Sequence, residues 1–376
     1  MNNPFKNIFG GSGGIFASSA SDSAVGIDIG SSAIKVVEIK KKKGKAVLET
    51  YGSISLGPYA GMDIGRVTNL TSDKIVDALK EVLKESGVNT QSAAFSLPVQ
   101  SSLIFNIELP GQLKEEDMAS IVPTEARKYI PVPITEVSID YFISPKKAVS
   151  FEEANNKDLA ALKEDKNEVL VIALQNDAVA NYRSIISQSR LNASFLEIEI
   201  FSSIRSNFEH ELSLVLLMDF GASRTKLSLV EFGMVKSYHT INRGGADISN
   251  AISQSLSIPF SKAEELKKEF GLMGDPADKN LADIIKVHTD YIFSEANSVL
   301  LNYEKKYNRT ISKVILTGGG SLLKGVADVA VNNFHGEVEV GHPFSKVGAP
   351  AFLDKVLLAT GPEFAVALGL ALRKLQ

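Results

Sequence analysis

Residues 25–40, VGIDIGSSAIKVVEIK, set β-forming runs on both sides of a short turn made of small residues. Asp28 and Gly30 stand at the mouth of that turn, Ser31 and Ser32 at its tip, and Lys35 on the outgoing strand. The pattern predicts an antiparallel hairpin. Gly30 supplies backbone angles closed to other residues, and successive N–H groups in a tight turn form a concave anion nest. Lys35 adds positive charge, and Asp28 is placed to hold a hydrated divalent ion. Residues 216–233, LLMDFGASRTKLSLVEFG, repeat the order of strand, Asp219, Gly221, small residues, Thr225 and strand. One such turn is weak evidence; a pair at corresponding places points to an internal duplication. Two lobes are expected, with their turns facing each other across a cleft.

The remaining composition narrows the class. A chain of 376 residues, 44% of them hydrophobic, suits about two domains with substantial cores. A net charge of −4 gives no reason to expect a nucleic-acid partner. The absence of cysteine excludes disulfides, thiolate zinc sites and a cysteine nucleophile. No stretch reads as the roughly 20 apolar residues of a membrane span. Residues 1–23 are rich in Gly and Ser and lack the apolar core of a signal peptide. They are expected to form a flexible leader; a sharper reading makes Phe5, Ile8, Phe9, Ile15 and Phe16 a tether to a partner or membrane surface. A cytoplasmic protein is expected.

Along the chain, strands are expected at 25–39 and 45–56, joined by Lys40–Lys43 and Gly44. Residues 71–87 form an amphipathic helix, capped by Thr71 or Ser72, with Ile75, Leu79, Val82 and Leu83 in one stripe. Residues 92–98 are a buried strand. Residues 99–175 read as a small α+β insertion: a strand, a helix over 114–130, a Pro-rich entry to a further strand, a charged loop at 144–167 and a closing strand at 168–175. A helix and a strand-to-helix segment, LEIEIF, lead to the second half. There, residues 260–310 are largely helical, SKVILTGGGSLLKG is strand, glycine turn and helix, and GPEFAVALGLALRKL is a C-terminal core helix.

These pieces have a shared chemistry. Two opposed turns can clamp a nucleoside triphosphate, with Asp28 and Asp219 contacting Mg²⁺ partly through water, since that ion keeps several waters and takes one or two carboxylates. Gly318, Gly319 and Gly320 let the backbone approach a flat ligand, and Ser321 is expected to open a helix whose N-terminus favours negative charge. A Walker A loop is excluded because Val326 stands where lysine should follow Gly325. Glu264 and Lys267, one turn apart, share a helix face that could hold base and ribose. An acid that orients water is sought in LEIEIF. Glu199 is preferred and Glu197 is the alternative, and strand alternation would place both on one face.

Together these residues resemble the actin-like ATPase superfamily, which includes heat-shock chaperones, sugar kinases and the cell-division protein FtsA. The Asp28-to-Lys35 turn resembles its first phosphate motif and the Asp219 turn, with Gly221, Ala222 and Ser223, its second. Gly318–Ser321 resembles its adenosine motif, and AEELK the base-binding helix of the FtsA and MreB branch. From about Val25 onward the chain is similar to the PilM family of type IV pilus assembly proteins. The carriers are GIDIGSSAIKVVE, LPGQLKEEDMASIVPTEARKYIPVPITEVSIDY, LEIEIFSSIRS, LTGGGSLLKGV, VGHPFSKV and EFAVALGLALR.

The resemblance implies an α/β fold of duplicated, ribonuclease H-like lobes with an inserted, SHS2-like α+β subdomain. Lobe I would comprise 24–98 and 176–212, the insertion 99–175, lobe II 213–250 and 311–376, and a helical subdomain 251–310. It implies ATP and Mg²⁺ in the cleft, with Gly245 among the residues facing the nucleotide. It also implies a peptide groove at Tyr129, Ile130, Pro131 and Val132 for the cytoplasmic N-terminus of a PilN-type membrane protein. Other pilus inner-membrane components are implied as partners, self-association is an option, and the location would be the inner face of the cytoplasmic membrane. ATP turnover is expected to be slow or absent, because no second site for an acceptor substrate is apparent. Two alternatives belong to the same superfamily: a small-molecule kinase and an FtsA-like filament former. FtsA ends in an amphipathic membrane helix after a linker, whereas this chain stops at Gln376 after an expected core helix.

Overall fold

The computed structural model describes residues 22–111, 113–143, 166–209, 212–275 and 280–375. The expected leader up to residue 21 and the charged loop over 144–165 lie outside them.

β1 (Ser23–Ile29) and β2 (Ala33–Lys42) form the first hairpin, with Asp28 opposite Lys35. β2 runs further than expected, so the turn to β3 (Lys45–Ser55) is only Lys43 and Gly44, both at positive φ. α1 (Ser72–Glu85) buries Val76, Ala78, Leu79 and Val82. The expected stripe is thus rotated, with Ile75 and Leu83 at its partly buried margin. Neither Thr71 nor Ser72 caps this helix; the Ser72 hydroxyl donates to Asn181 instead. β4 (Ser92–Leu97) lies parallel to β1 and is buried along its whole length, as a strand covered on both faces must be.

The chain then builds a separate sheet. β5 (Ser102–Pro110), α2 (Glu115–Ala126), β6 (Val137–Ile143) and β7 (Lys166–Gln175) give the antiparallel order β5-β7-β6. β7, read as the closing strand, is the central one. Its alternate residues serve two cores. Val169, Val171 and Ala173 pack against Met118, Val122 and Ala126 of α2, whereas Leu170, Ile172 and Leu174 join the core of the first lobe. α2 ends at Ala126, short of the expected 130.

α3 (Asn176–Ser189), β8 (Asn192–Ile198) and α4 (Glu199–Asn207) follow. β8 completes a five-stranded sheet in the order β3-β2-β1-β4-β8. The second lobe repeats it. β9 (Val215–Phe220), β10 (Thr225–Glu231) and β11 (Met234–Ile241) are antiparallel neighbours. α5 (Gly245–Leu256), α6 (Phe260–Phe270) and α7 (Asn280–Tyr307) form the helical stretch. β12 (Lys313–Thr317), α8 (Val326–Asn333) and β13 (Glu337–Val340) complete the order β11-β10-β9-β12-β13, with β9, β12 and β13 parallel. Strand order and direction match the first sheet position by position.

Helices cross between the lobes. Ile200 and Ile204 of α4 share a core with Val215, Leu217 and Ile315 of the second sheet. After α9 (Asp354–Thr360), α10 (Ala365–Leu375) returns to the first sheet, where Ala367, Leu368 and Ala371 pack with Val37 and Ile39. The approach is close enough to require glycine. A Cβ on Gly26 would lie 1.8 Å from the Ala367 carbonyl oxygen, and one on Gly369 would lie 1.9 Å from that of Ser202. The helical stretch Ala351–Leu375 does reach the length and hydropathy of a membrane span, contrary to the sequence reading. Residues 365–371 of it are nonetheless core of this fold.

Candidate functional site

The two hairpin turns line one cleft of about 680 Å³. Asp28, Gly30, Ser31, Ser32 and Lys35 form one wall; Asp219, Gly221, Ala222, Ser223 and Gly245 form the other. Gly318, Gly319, Gly320, Glu264 and Lys267 also line it, and Glu199 does so from the start of α4. The turns close identically: Gly30 N–H donates to the Ala33 carbonyl and Gly221 N–H to that of Arg224, each at 3.0 Å. Neither glycine is left-handed, so the reason expected for Gly30 does not hold. A Cβ would lie 3.0 Å from the Ala33 oxygen at one and 2.9 Å from the Arg224 oxygen at the other.

The second turn is further tied to α5. Gly245 and Ala246 N–H groups donate to the Gly221 and Ala222 carbonyls at 2.9 Å. Gly244, which the sequence reading missed, permits this approach, since a Cβ there would lie 2.5 Å from the Ala222 oxygen. The glycine triplet also has a packing role: a Cβ on Gly318 would meet the Asp219 carboxylate and one on Gly320 the Phe220 ring, each at 2.3 Å. Ser321 does not open a helix. It sits in a 3₁₀ turn, Gly319–Leu322, and turns inward to donate to the Gly318 carbonyl; α8 begins only at Val326.

Glu197 and Glu199 do not share a face, because the strand ends between them and α4 begins at Glu199. Glu197 is buried away from the cleft, bound by Arg205, Arg373 and Ser202. Burial alone would push its carboxyl up, but the two guanidinium groups hold it below the usual carboxylate range. Glu199 accepts from Val99 N–H at 2.9 Å and from Lys226 Nζ at 2.6 Å. Burial raises its pKa, opposed by Lys226 and reinforced by Asp28 and Asp219. Lys226 also donates to Asp219 at 3.2 Å. It was overlooked in the sequence, although it follows Asp219 by the same seven positions that separate Lys35 from Asp28. Arg224 donates to Asn242.

Asp28 accepts from Ser96 at 2.8 Å. Among the described residues no group of three or more His, Cys, Asp or Glu side chains could by itself hold a metal ion. The oxygen donors of Asp28 and Asp219 fit an ion that keeps most of its shell as water and phosphate. Opposite, Lys267 Nζ donates to Glu264 at 2.7 Å and to the Gly245 carbonyl at 2.9 Å, and Ser249 donates to Glu264. Burial lowers the Lys267 pKa against the pull of Glu264; Glu264, which burial would raise, is held low by Lys267. Arg66 has no counterpart in the sequence expectations. From the loop after β3 it reaches the other lobe, donating to Asn250 at 2.7 Å and lying 3.9 Å above the Phe260 ring.

On the insertion, Tyr129 is 55% exposed and packs on Phe105, with ring centroids 5.1 Å apart. Pro131 and Val132 are exposed. Ile130 is instead buried in the core with Met118 and Val122, so the expectation that it faces a peptide is corrected.

Two sheets of equal order, with paired turns over a single cleft, define an actin-like fold. A family model described as type IV pilus assembly protein PilM matches residues 26–375. The chain belongs to that family. A solved PilM-PilN type IV pilus biogenesis complex is similar at TM-score 0.76 and 26% identity, over 94% of this chain and 98% of that one. The ethanolamine utilization protein EutJ of Carboxydothermus hydrogenoformans shares the fold at TM-score 0.53 and 15% identity, over 95% of this chain and 92% of that one. The cell division protein FtsA of Staphylococcus epidermidis is 25% identical over 352 residues, covering 85% of this chain and 74% of that protein.

Proposed function

We propose that this type IV pilus assembly protein binds ATP with Mg²⁺ between its lobes and docks the N-terminal cytoplasmic peptide of a PilN-type inner-membrane protein on its insertion. The mirrored turns on one cleft carry the nucleotide reading. Asp28 and Asp219 would contact the ion, which neutralises phosphate charge when bound. Lys35 faces the phosphates, and Glu264 and Lys267 hold the nucleoside. Glu199 is the candidate acid for hydrolysis. Both its oxygens are already engaged by Val99 and Lys226, which supports slow turnover.

The peptide reading rests on the exposed Tyr129 and on β6, an edge strand that pairs only with β7 among the described residues. Groove or edge capture of an extended segment is a general mode. The insertion touches the second lobe: Asn106 donates to the Lys236 carbonyl at 2.7 Å, and Lys236 pairs with Glu168. A ligand that favours one lobe arrangement over another shifts the population toward it, and this contact gives that shift a route to the peptide site. We keep the subdomain limits implied by the resemblance, although α5 (Gly245–Leu256) runs across the one drawn at 250, and the protein would sit at the inner face of the cytoplasmic membrane through its partners.

The test is binding of a PilN-type N-terminal peptide. Tyr129→Ala should weaken it by about tenfold or more, as loss of an aromatic anchor does, with Mg-ATP affinity unchanged. Absence of peptide binding by the unaltered protein contradicts the docking reading.

A further inference from the structure

The chain between β3 and α1 crosses the cleft from the first lobe to the second. Both its ends hang on the first hairpin turn. Leu56 N–H donates to the Ser32 carbonyl at 2.8 Å, and Thr68 N–H donates to that of Ser31 at 2.9 Å. Tyr59 adds two ties to α1, donating its hydroxyl to Glu81 and accepting from Lys74 Nζ at its carbonyl. Between these anchors the chain turns at Gly61 and Gly65, both at positive φ. Residues 61–64 are exposed, so the crossing lies on the solvent side of the cleft that Ile64 and Gly65 line. Gly65 stands so near Glu264 of α6 that a Cβ on it would lie 3.0 Å from the carboxyl carbon. Arg66 then grips the second lobe twice, through its bond to Asn250 of α5 at 2.7 Å and its guanidinium 3.9 Å from the centre of the Phe260 ring on α6.

We infer that residues 56–68 are a strap across the nucleotide cleft, latched by Arg66, and that this latch sets how fast nucleotide enters and leaves. The inference rests on the nucleotide reading above. A guanidinium over a buried aromatic ring, with one N–H spent on an amide oxygen, is a directional contact that breaks when the lobes part. The partners of Arg66 are protein groups on the opposite lobe, so the contact forms with the cleft loaded or empty. It therefore adds to the barrier against opening in both states. Entry and release slow together, and affinity changes little. Because the strap hangs on the carbonyls of Ser31 and Ser32, a ligand that holds the first turn also holds the strap. Arg66 is in this sense a positioning residue.

The experiment follows a fluorescently labelled ATP with Mg²⁺ by stopped flow. Arg66→Ala should speed both entry and release by about tenfold, the scale of a charge-assisted hydrogen bond together with a cation–π contact. The affinity should stay within about threefold. Asn250→Ala should move both rates the same way, and the double variant should be no faster than Arg66→Ala alone, as expected for two sides of one contact. A second arm needs no nucleotide. The chain has no cysteine, so spin labels on Val67→Cys and Gln254→Cys report the distance between strap and α5. Adding Arg66→Ala should shift that distance distribution to longer values. Unchanged rates in both single variants, a weaker affinity at an unchanged entry rate, or an unchanged distance overturns the latch. Failure of the unaltered protein to bind the labelled ATP contradicts the nucleotide reading, and the latch is then decided by the spin-label distances.

Discussion

Replacing Glu197 by glutamine should lower the unfolding free energy by about 3 kcal/mol, the lower part of the range for breaking a buried charge network. Glu197 ends β8 and accepts from Arg205 on α4 and Arg373 on α10. Its side chain is fully buried, while those of Arg205 and Arg373 retain 23% and 12% exposure. The residual solvent contact of Arg205 places the cost at the lower end. The same carboxylate thus ties one strand of the first lobe to both helices that cross between lobes. Arg205 also donates to the Gly369 carbonyl, at the point where α10 and α4 come closest. Because the folded-state pKa of Glu197 is lowered, its contribution is complete above the ordinary glutamate pKa and is lost as pH falls through the folded value. Denaturant unfolding at neutral and acidic pH should show a gap between the two proteins that narrows toward low pH. A gap of equal size at all pH values, or none, contradicts the role.

The second large effect is on ligand binding. Asp28→Ala and Asp219→Ala should each weaken Mg-ATP binding by about 10–100-fold, the range for losing a carboxylate that acts on a metal through its outer shell. The folds should persist, because Asp28 loses only a serine hydroxyl as partner and Lys226 keeps Glu199 after Asp219 is removed. Calorimetry checks the affinity and thermal unfolding the fold. Unchanged affinity in both variants contradicts the assignment of the turns.

Much of this was legible from residue pattern. The two hairpins announced themselves because strand alternation and turn chemistry are local, and their repetition carried the topology. Lys226 was within reach by the same comparison, since the spacing from Asp28 to Lys35 recurs from Asp219. Other features depend on contacts that sequence order does not encode. Glu197 and Glu199 were indistinguishable until the strand ended between them. Ile130 reads as an exposed neighbour of Tyr129, yet the end of α2 at Ala126 turns it into the core of the insertion. Ser321 was expected at a helix start, but a 3₁₀ turn intervenes and aims its hydroxyl inward. Arg66 meets Asn250 and Phe260 across about half the chain, and no local motif marks it.

The most direct measurement is hydrogen–deuterium exchange of the full chain with and without Mg-ATP. Slowed exchange at the amides of both 28–32 and 219–223, saturating at one nucleotide per chain, is the expected result. Protection confined to one of these segments, or to neither, contradicts a polyphosphate gripped from both sides.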